Sequence, residues 1–449
     1  MTYLLPAFRI LERTNMRMIS TSLIAAAILI MSLQGLVSAE PDRAGSKETA
    51  HQCNALAQSF GKQVSLSELE RLLNTRKNTD KDNLRASDSG PMVMVTVSSV
   101  KELETAVQYS FAGVSILIND GVYNLNGRWF SLNVPGITIR SASGNRDKVI
   151  LDGDYKSPSV FEITASDVTI ADLTIKYPYN HAIHVISPLQ GNDTSDTLIH
   201  NVHIVDPGQQ AIKINPVGDD TYPVNGSIEC SQIELTDAGR GHIRNNCYTG
   251  GIDAHKANGW IVRDNEIKGF WCPNGLSEHA IHFWDYSQDT VVERNILTDN
   301  ARGIGFGMMA QQTREETAPC LPDSDHIRGV IRDNHIATID KRLFSSNAGA
   351  DCGICLWYAC NAIVNDNRIF SENPGRTFSS IEWRFPATRV EVTSNLTNIR
   401  MLERDGATAR QSGNMTEATH KWFVKPELGD LNLTPYAVSK MKKNAADPN

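Results

Sequence analysis

Apolar residues along this chain recur in short runs with strand-like alternation, and five of these runs are copies of one sequence motif. Each copy opens with apolar, often β-branched residues and closes on an asparagine, which in most copies is followed by another apolar residue. This chemistry is typical of a strand that ends in a bend. The asparagines that close the five copies are Asn265, Asn295, Asn334, Asn367 and Asn395.

The motif recurs at a spacing of roughly thirty residues, as expected of a solenoid in which each repeat buries its apolar face against its neighbours. Weaker copies lie at 168–175, 198–204 and 228–233, and apolar strands at 114–118 and 136–139 precede them. The pattern predicts a single all-β domain, a right-handed parallel β-helix over residues 92–400 with about ten coils. A β-propeller is the alternative repeat fold, but the tight two-residue hairpin turns that it requires are sparse.

An asparagine that recurs at one position of every coil has a structural use. Its amide can bond to the backbone of the next coil and satisfy groups that a bend would otherwise leave buried and unpaired. We therefore predict a stack of asparagines inside the solenoid.

Both ends of the repeat region have the features of caps. Ser98 begins an amphipathic helical pattern that we expect to cover the open end of the core, as an N-terminal capping helix. Residues 40–91 are interpreted as a linker with one docked helix near 65–73. Residues 401–449 are interpreted as a C-terminal cap and a polar tail.

The N-terminal segment has the features of an export signal. Arg17 precedes an apolar run from Leu23 to Met31, and small residues stand before Glu40, so residues 1–39 are predicted to be a signal peptide. Met16 or Met18 would give a more usual signal length than Met1. The alternative, a retained anchor, is disfavoured because the run is short for a membrane span. A periplasmic or secreted protein is expected.

The eight cysteines all follow this signal, and an even number in an exported chain favours disulfides. Two loop pairings are predicted, Cys230 with Cys247 and Cys272 with Cys320. Three further cysteines, at positions 352, 355 and 360, crowd one coil, which leaves Cys53 as a remote partner. A zinc site at Cys352 and Cys355 is the weaker interpretation, because no second pair follows at suitable spacing.

Composition limits the class of partner. The formal net charge of −8 argues against nucleic acid, whose phosphate backbone calls for a dominant basic face. It still allows a local basic groove for an acidic glycan. We expect a monomer that binds an acidic polysaccharide.

The candidate chemistry emerges from a second strand that seven of the coils share. In each, an isoleucine and the residue two positions later are apolar and should face the core, so that the residues between and after them point outward. Adjacent coils lie about 4.8 Å apart, which makes outward residues neighbours on one face. The outward residues are His184, Lys213, Asp253, His255, His282, Trp284, Gly305, Cys355, Trp357, Glu382 and Arg384.

Imidazoles, an ammonium and a carboxylate converge in this column, whereas ordinary surface charge is mixed and diffuse. Functional sites concentrate such groups, although a single exposed histidine or lysine is usually solvated surface. We predict a catalytic cluster of Lys213, Asp253, His255 and His282. His184, Trp284, Trp357 and Arg384 are the predicted substrate-binding residues, with the tryptophans stacking on sugar rings or packing under a loop.

Two further features bear on this face. The run from Gly303 to Gly307 lacks outward side chains and is interpreted as a floor for close substrate approach, or as a site of tight packing. No cofactor is clearly indicated. Calcium is the one considered, bound weakly by Asp219 and Asp220, although an isolated acidic pair is more often a turn.

The N-terminal coils resemble the chondroitinase-B-like and alginate lyases of the pectate-lyase-like superfamily of right-handed parallel β-helices. The similar segments are 95–103, 116–123, 136–140 and 149–153. Later segments, 277–284 and 380–385, resemble uncharacterised exported β-helix proteins. The resemblance implies the fold. The lysine and arginine that act as base and acid in those lyases have no counterpart by motif, so their roles are not carried over.

A lyase that eliminates a uronic acid needs a cation for the carboxylate, a base for the C5 proton and an acid for the leaving oxygen. We assign these roles to Lys213 or calcium, to His255 oriented by Asp253, and to His282. A uronate C5-epimerase would use much the same groups. Hydrolysis is less favoured because it requires two carboxylates flanking the bond. A non-catalytic glycan-binding surface protein is the alternative outside enzymes.

Overall fold

A computed structural model describes residues 53–57, 61–79, 92–188, 193–311, 320–385 and 389–446. The predicted signal peptide lies outside these residues, and so does part of the predicted linker 40–91. Within the described ranges, no helix combines the length and apolar character needed to cross a membrane.

Three long parallel sheets, which we call sheets A, B and C, make up the described part of the chain. Each typical coil contributes one strand to each sheet, so neighbouring strands within a sheet come from successive coils. This arrangement confirms the predicted parallel β-helix. Sheet A contains Lys62–Val64, Val93–Val97, Val114–Ile118, Thr138–Ser141, Thr169–Ala171, Leu198–His200, Ser227–Glu229, Ile261–Arg263, Val291–Glu293, Val330–Arg332, Ile363–Asn365, Val390–Thr393 and Ala409–Ser412.

The other two sheets follow the same rule. Sheet B contains Gly121–Asn124, Val149–Asp152, Thr174–Lys176, His203–Val205, Gln232–Glu234, Glu266–Lys268, Ile296–Thr298, His335–Thr338, Arg368–Ser371 and Leu396–Thr397. Sheet C contains Phe130–Leu132, Ser159–Ile163, His181–Ser187, Gln210–Pro216, Gly250–His255, His279–Trp284, Arg302–Phe306, Ala350–Trp357, Thr377–Arg384 and Leu402–Glu403.

The remaining elements are short and lie at the ends or in loops. The α-helices are Leu66–Thr79, Val100–Gln108, Lys341–Ser345 and Pro435–Ala446, and the 3-10 turns are Arg146–Lys148, Gly239–His242, Pro374–Arg376, His420–Trp422 and Pro426–Leu428. Three small strand pairs join Thr194–Ser195 to Pro223–Val224, His326–Ile327 to Ala359–Cys360 and, antiparallel, Phe423–Lys425 to Asp430–Leu433.

The core consists of aliphatic side chains stacked in columns along the helix axis. In sheet A the central residues Val262, Val292, Ile331 and Val364 are paired in register and fully buried. Burial of each such side chain contributes about 1.5–3 kcal/mol. Because every coil places an apolar residue at the same height, the columns continue from coil to coil without interruption.

The predicted asparagine stack lies at the bend between sheets A and B. Each asparagine amide except that of the last member, Asn414, donates to the side-chain oxygen of the next asparagine at 2.9–3.1 Å. All six amides also donate to a backbone carbonyl. The same side-chain oxygen accepts the backbone N–H of the preceding asparagine. The stack consists of Asn265, Asn295, Asn334, Asn367, Asn395 and Asn414.

The N-terminal end of the coil is covered as predicted. The helix Val100–Gln108 begins at Ser99, whose hydroxyl accepts the N–H of Glu102, and Leu103 is fully buried beneath it. Before it, the helix Leu66–Thr79 buries Leu69. At the other end Trp422, Phe423 and Leu431 form a separate small core with residues of the last coils.

The four disulfides differ from the predicted pairs. Cys53 bonds to Cys230, Cys247 to Cys272, Cys320 to Cys360 and Cys352 to Cys355. The predicted pairs Cys230–Cys247 and Cys272–Cys320 are therefore wrong, and so is the pairing of Cys53 with the coil of Cys352. The preference for disulfides over zinc is confirmed, since none of these cysteines is free.

Cys53 bonds to Cys230 because the segment 53–57 runs along the outside of the coils. The backbone oxygen of Asn54 accepts from His200, and the N–H of Leu56 donates to Asp172. This path brings Cys53 to Cys230, with 5.3 Å between their Cα atoms across 177 positions of sequence. Loops that leave neighbouring coils at the same corner meet in space, which sequence distance does not report.

Replacement of Asn334 by alanine tests the stack. The substitution leaves the backbone N–H of Asn295 and the carbonyl of Val292 buried without their partners, so the unfolding free energy should fall by about 3 kcal/mol. Scanning calorimetry with the disulfides intact measures the change. The control is Asn365→Ala, which removes a side chain bonded only to Asp366 at the surface and should cost under about 0.5 kcal/mol. Equal losses in the two variants would contradict the role of the stack.

Candidate active site on sheet C

The strand register of sheet C brings the predicted outward residues side by side. His184 pairs with Lys213, Lys213 with Asp253, Asp253 with His282, and His282 with Gly305. The isoleucines and the apolar residues two positions later are buried in the core, as the alternation predicted. The column continues from Gly305 to Cys355 and Glu382.

Lys213 is at the centre of this column. Its Nζ lies 2.5 Å from Asp253 Oδ2 and 2.6 Å from His255 Nε2. The other oxygen of Asp253 accepts the indole N–H of Trp284 at 2.8 Å. Burial by itself would raise the pKa of Asp253, but hydrogen bonding to His255 and the charge of Lys213 outweigh it and hold the pKa well below its usual range.

His255 lies at the accessible edge of this cluster, with a fifth of its side chain exposed. An ammonium that donates to its Nε2 requires this nitrogen to carry a lone pair, so Nδ1 carries the proton and faces Asp285 Oδ2 at 3.6 Å. Burial lowers the pKa of His255. Hydrogen bonds that the protonated ring makes to Asp253 and Asp285 raise the pKa by more, so the net shift is upward. The imidazole is thus a base whose protonated form is stabilised.

His282 is enclosed by protein and only 1% exposed. Its Nε2 lies 3.3 Å from the carbonyl oxygen of Gly307, and its Nδ1 lies 3.8 Å from Asp253 Oδ1. Burial lowers its pKa to about 4, against the charge of Asp253, which raises it. The imidazole is therefore neutral and enclosed by protein, on the strand next to that of Asp253 and on the side away from Lys213.

The glycine run is not an open floor. A Cβ at Gly305 would lie 2.7 Å from the ring of His279 and 2.9 Å from that of His282. The two histidine rings, with centroids 4.1 Å apart, cover this position. The interpretation of Gly305 as a surface for close substrate approach is therefore wrong, and the alternative of tight packing applies, with histidine rings as the packed groups.

Sequence reasoning missed four ionisable residues beside the column: Tyr248, Glu278, His279 and Asp285. Burial raises the pKa of Tyr248, and Asp253 and Glu278 raise it further against the opposing charge of Lys213. Burial also raises the pKa of Glu278. Tyr248 and Glu278 lie in segments just outside the strands, where no periodic signal marks them. His279 is the first residue of the strand His279–Trp284 and precedes the isoleucine by which the outward column was aligned.

The predicted binding residues divide into two groups. His184 and Trp284 belong to the cluster: His184 Nε2 lies 2.7 Å from Asn215 Oδ1, and the Trp284 ring centroid lies 4.2 Å from that of His255. Trp357 is 7% exposed and its indole N–H donates to Glu382, so its faces are covered by protein. Arg384 pairs with Asp405 near the C-terminal end of sheet C.

The predicted calcium ligands lie apart from any ligand cluster. Asp219 is almost fully exposed and pairs with Lys256 at 2.8 Å. Among the described residues, neither Asp219 nor Asp220 belongs to a group of three close metal-ligating atoms. The acidic pair lies in a turn, and calcium binding there stays a prediction.

Comparison with solved structures supports the parallel β-helix fold. No protein-family model matches the chain, and no curated protein sequence matches it. Among solved structures, it is similar to the alginate lyase from Paenibacillus sp. str. FPU-7, with a TM-score of 0.51 and 13% identity over 71% of this chain and 99% of that chain. The chain shares the parallel β-helix fold of that enzyme.

Two further solved structures are similar at lower scores. The A-module of mannuronan C-5 epimerase AlgE6 from Azotobacter vinelandii has a TM-score of 0.42 and 10% identity over 70% of this chain and 93% of that chain. A DFA-IIIase from Arthrobacter chlorophenolicus A6 has a TM-score of 0.46 and 13% identity over 80% of this chain and 96% of that chain.

The space above Gly305 gives a direct test of the packing around the cluster. Gly305→Ala forces a methyl group into the rings of His279 and His282 and should lower the unfolding free energy by about 1–3 kcal/mol. Gly241→Ala is the matched control, because a Cβ at that position meets no atom within 4 Å. Thermal unfolding measures both, and a neutral Gly305→Ala would show that the rings do not occupy this space.

Buried His181 should make stability depend on pH. Its Nδ1 lies 2.8 Å from the carbonyl oxygen of Gln210, and burial lowers its pKa from 6.5 to about 3. Below about pH 6.5 the histidine is protonated in the unfolded chain but not in the folded chain. The unfolding free energy therefore decreases as the pH is lowered, by up to about 1.4 kcal/mol per pH unit.

The measurement is the unfolding free energy between pH 6.5 and pH 4. His181→Asn, which retains a donor for Gln210, should make this dependence shallower. His420→Asn, which changes an exposed histidine, should leave it unchanged. Identical slopes for wild type and His181→Asn would contradict the assignment.

Proposed function

We propose that this protein is an exported carbohydrate-active enzyme that cleaves an acidic, uronic-acid-containing polysaccharide by β-elimination. The observation that carries the proposal is Lys213 held between Asp253 and His255, in the part of the column where His184, His255 and Trp284 are partly exposed. This arrangement offers a cation and a base together. Four disulfides support an oxidising, periplasmic or extracellular location.

The first step is removal of the C5 proton of the uronate. Lys213 can turn its ammonium from His255 Nε2 to the substrate carboxylate and neutralise it, which acidifies the C5 proton. This movement also frees the Nε2 lone pair to accept that proton. The resulting imidazolium is stabilised by Asp253 and Asp285, whose carboxylates already lie within 3.4 and 3.6 Å of the ring nitrogens.

The second step breaks the bond between C4 and the glycosidic oxygen as the electron pair from C5 forms the C4–C5 double bond. The leaving oxygen needs a proton. His282 was the sequence candidate, but its burial removes it from the substrate. We assign this role to Tyr248, a half-buried phenol beside Lys213 and Asp253 whose raised pKa keeps it protonated.

Hydrolysis fits the geometry less well, because a glycosidase needs two carboxylates free to act at the bond. Both oxygens of Asp253 are engaged, one by Lys213 and one by Trp284, and the residue is 3% exposed. Asp253 therefore positions Lys213 and His255 and does not itself attack a sugar. Trp284 lies partly exposed against His255, and we expect its apolar surface to pack on a sugar ring.

The test is turnover of a panel of alginate, pectate and chondroitin, followed through the ultraviolet absorbance of the unsaturated product. His255→Gln and Lys213→Met should each reduce the rate by about 10²–10⁴-fold, since each removes a group used in proton transfer or charge stabilisation. His203→Gln is the matched control. It disrupts an equivalent histidine–carboxylate contact, 2.8 Å to Glu234, on sheet B, and should leave the rate unchanged.

The remaining outcomes assign other functions. Exchange of the C5 proton with solvent, without an absorbance rise, indicates a uronate C5-epimerase. Binding of a glycan with neither signal indicates a non-catalytic surface protein. Either outcome overturns the elimination proposal, provided that circular dichroism shows the variants and the wild type to be equally folded.

A further inference from the structure

Three potential metal ligands meet beside the catalytic cluster. One ligand atom from each of Glu278, His279 and His282 lies within 4.8 Å of the other two. Both histidines belong to the strand His279–Trp284, and their ring centroids are 4.1 Å apart. Glu278 immediately precedes this strand and is only partly buried.

The polar atoms of these histidines are unusually poor in partners. Both ring nitrogens of His279 and the Nδ1 of His282 are buried and have no hydrogen-bond partner, and the two residues are each 1% exposed. Buried polar groups without partners are rare and costly, and an ion is one of the few explanations. These buried, unpartnered nitrogens are therefore available as ligands for an ion.

We propose that Glu278, His279 and His282 bind one transition-metal ion of the Zn²⁺ type. Two imidazoles and a carboxylate are a donor set that suits such ions and leaves a coordination position open. Ca²⁺ is a poor fit because it prefers six to eight oxygen ligands. This site differs in position and in ligand type from the calcium site predicted at Asp219 and Asp220.

The geometry requires little adjustment. Ligand atoms bound to one tetrahedral Zn²⁺ at about 2.1 Å are about 3.4 Å apart, so a shift of about 0.7 Å by each side chain closes the largest separation. Because Gly305 has no side chain, both rings pack against its backbone, where a Cβ would lie 2.7 Å from the ring of His279 and 2.9 Å from that of His282. Glu278, at the exposed side, offers the path by which an ion would enter.

A second ligand set shares His279 but is less suitable. Sulfur atoms of Cys352 and Cys355 also lie within 4.8 Å of a His279 nitrogen. These sulfurs are joined in a disulfide, and a disulfide is not the thiolate that binds metals. The nearby guanidinium of Arg302 is paired with Asp351 at 2.9 Å, which reduces its repulsion of a cation.

The binding of the ion does not rest on the proposed elimination reaction. It is measured on the oxidised, full-length mature protein, stripped with EDTA and titrated with Zn²⁺ in a calorimeter. One ion per chain is expected. Glu278→Gln and His279→Gln should weaken binding by more than about 100-fold, beyond the usual cost of losing an outer-shell partner. His203→Gln, which alters a histidine on another sheet, should bind as wild type does.

Each other result overturns the proposal. Binding that is unchanged in Glu278→Gln and His279→Gln, or no binding at all, excludes these ligands. Binding that appears only after reduction, and is lost in Cys352→Ser, assigns the ion to the thiolates. Titration with Co²⁺ separates these cases, since thiolate ligation adds an intense charge-transfer band. Circular dichroism shows whether each variant is folded, and Glu278→Gln, at the partly exposed position, is the less disruptive of the two.

Discussion

The spacing of about 4.8 Å between successive coils is the constraint on which the rest of this structure depends. It obliges every side chain to contact the residue at the same position one coil away. Positions that repeat an aliphatic residue build the core, and positions that repeat asparagine satisfy the bend between sheets A and B. A coil that broke the pattern at either position would leave a cavity or unpaired backbone groups for its neighbours.

The same spacing brings ionisable side chains into contact on the outward face of sheet C. Lys213, Asp253 and His282 occupy adjacent strands, and His255 lies two residues beyond Asp253. Asp253 makes this arrangement tolerable, because its carboxylate accepts from the Lys213 ammonium and the Trp284 indole and lies close to both imidazoles. Removing the carboxylate would leave an ammonium and two imidazoles at contact distance. Asp253 therefore holds the cluster together, and its own burial prevents it from acting on a substrate.

Loops that leave the coil decide which members of the column remain accessible. His255 keeps a fifth of its side chain exposed, whereas His282 and Glu382 are enclosed. Accessibility thus separates His255, the proposed base, from the enclosed groups that we propose position it or bind a metal ion. Tyr248, on a loop without a periodic signal, adds a phenol that the column lacks.

The sequence by itself determined the coil, the asparagine stack, the capping helix and the register that unites Lys213 with Asp253 and His282. These features follow from local periodicity, which the spacing of the coils converts directly into contact. The tertiary structure alone decided the partners of Cys53 and Cys230, the burial of His282 and Trp357, and the meeting of Glu278 with His279. Those depend on how loops and the segment 53–57 pack across the coils, and non-periodic packing leaves no repeating pattern in the chain.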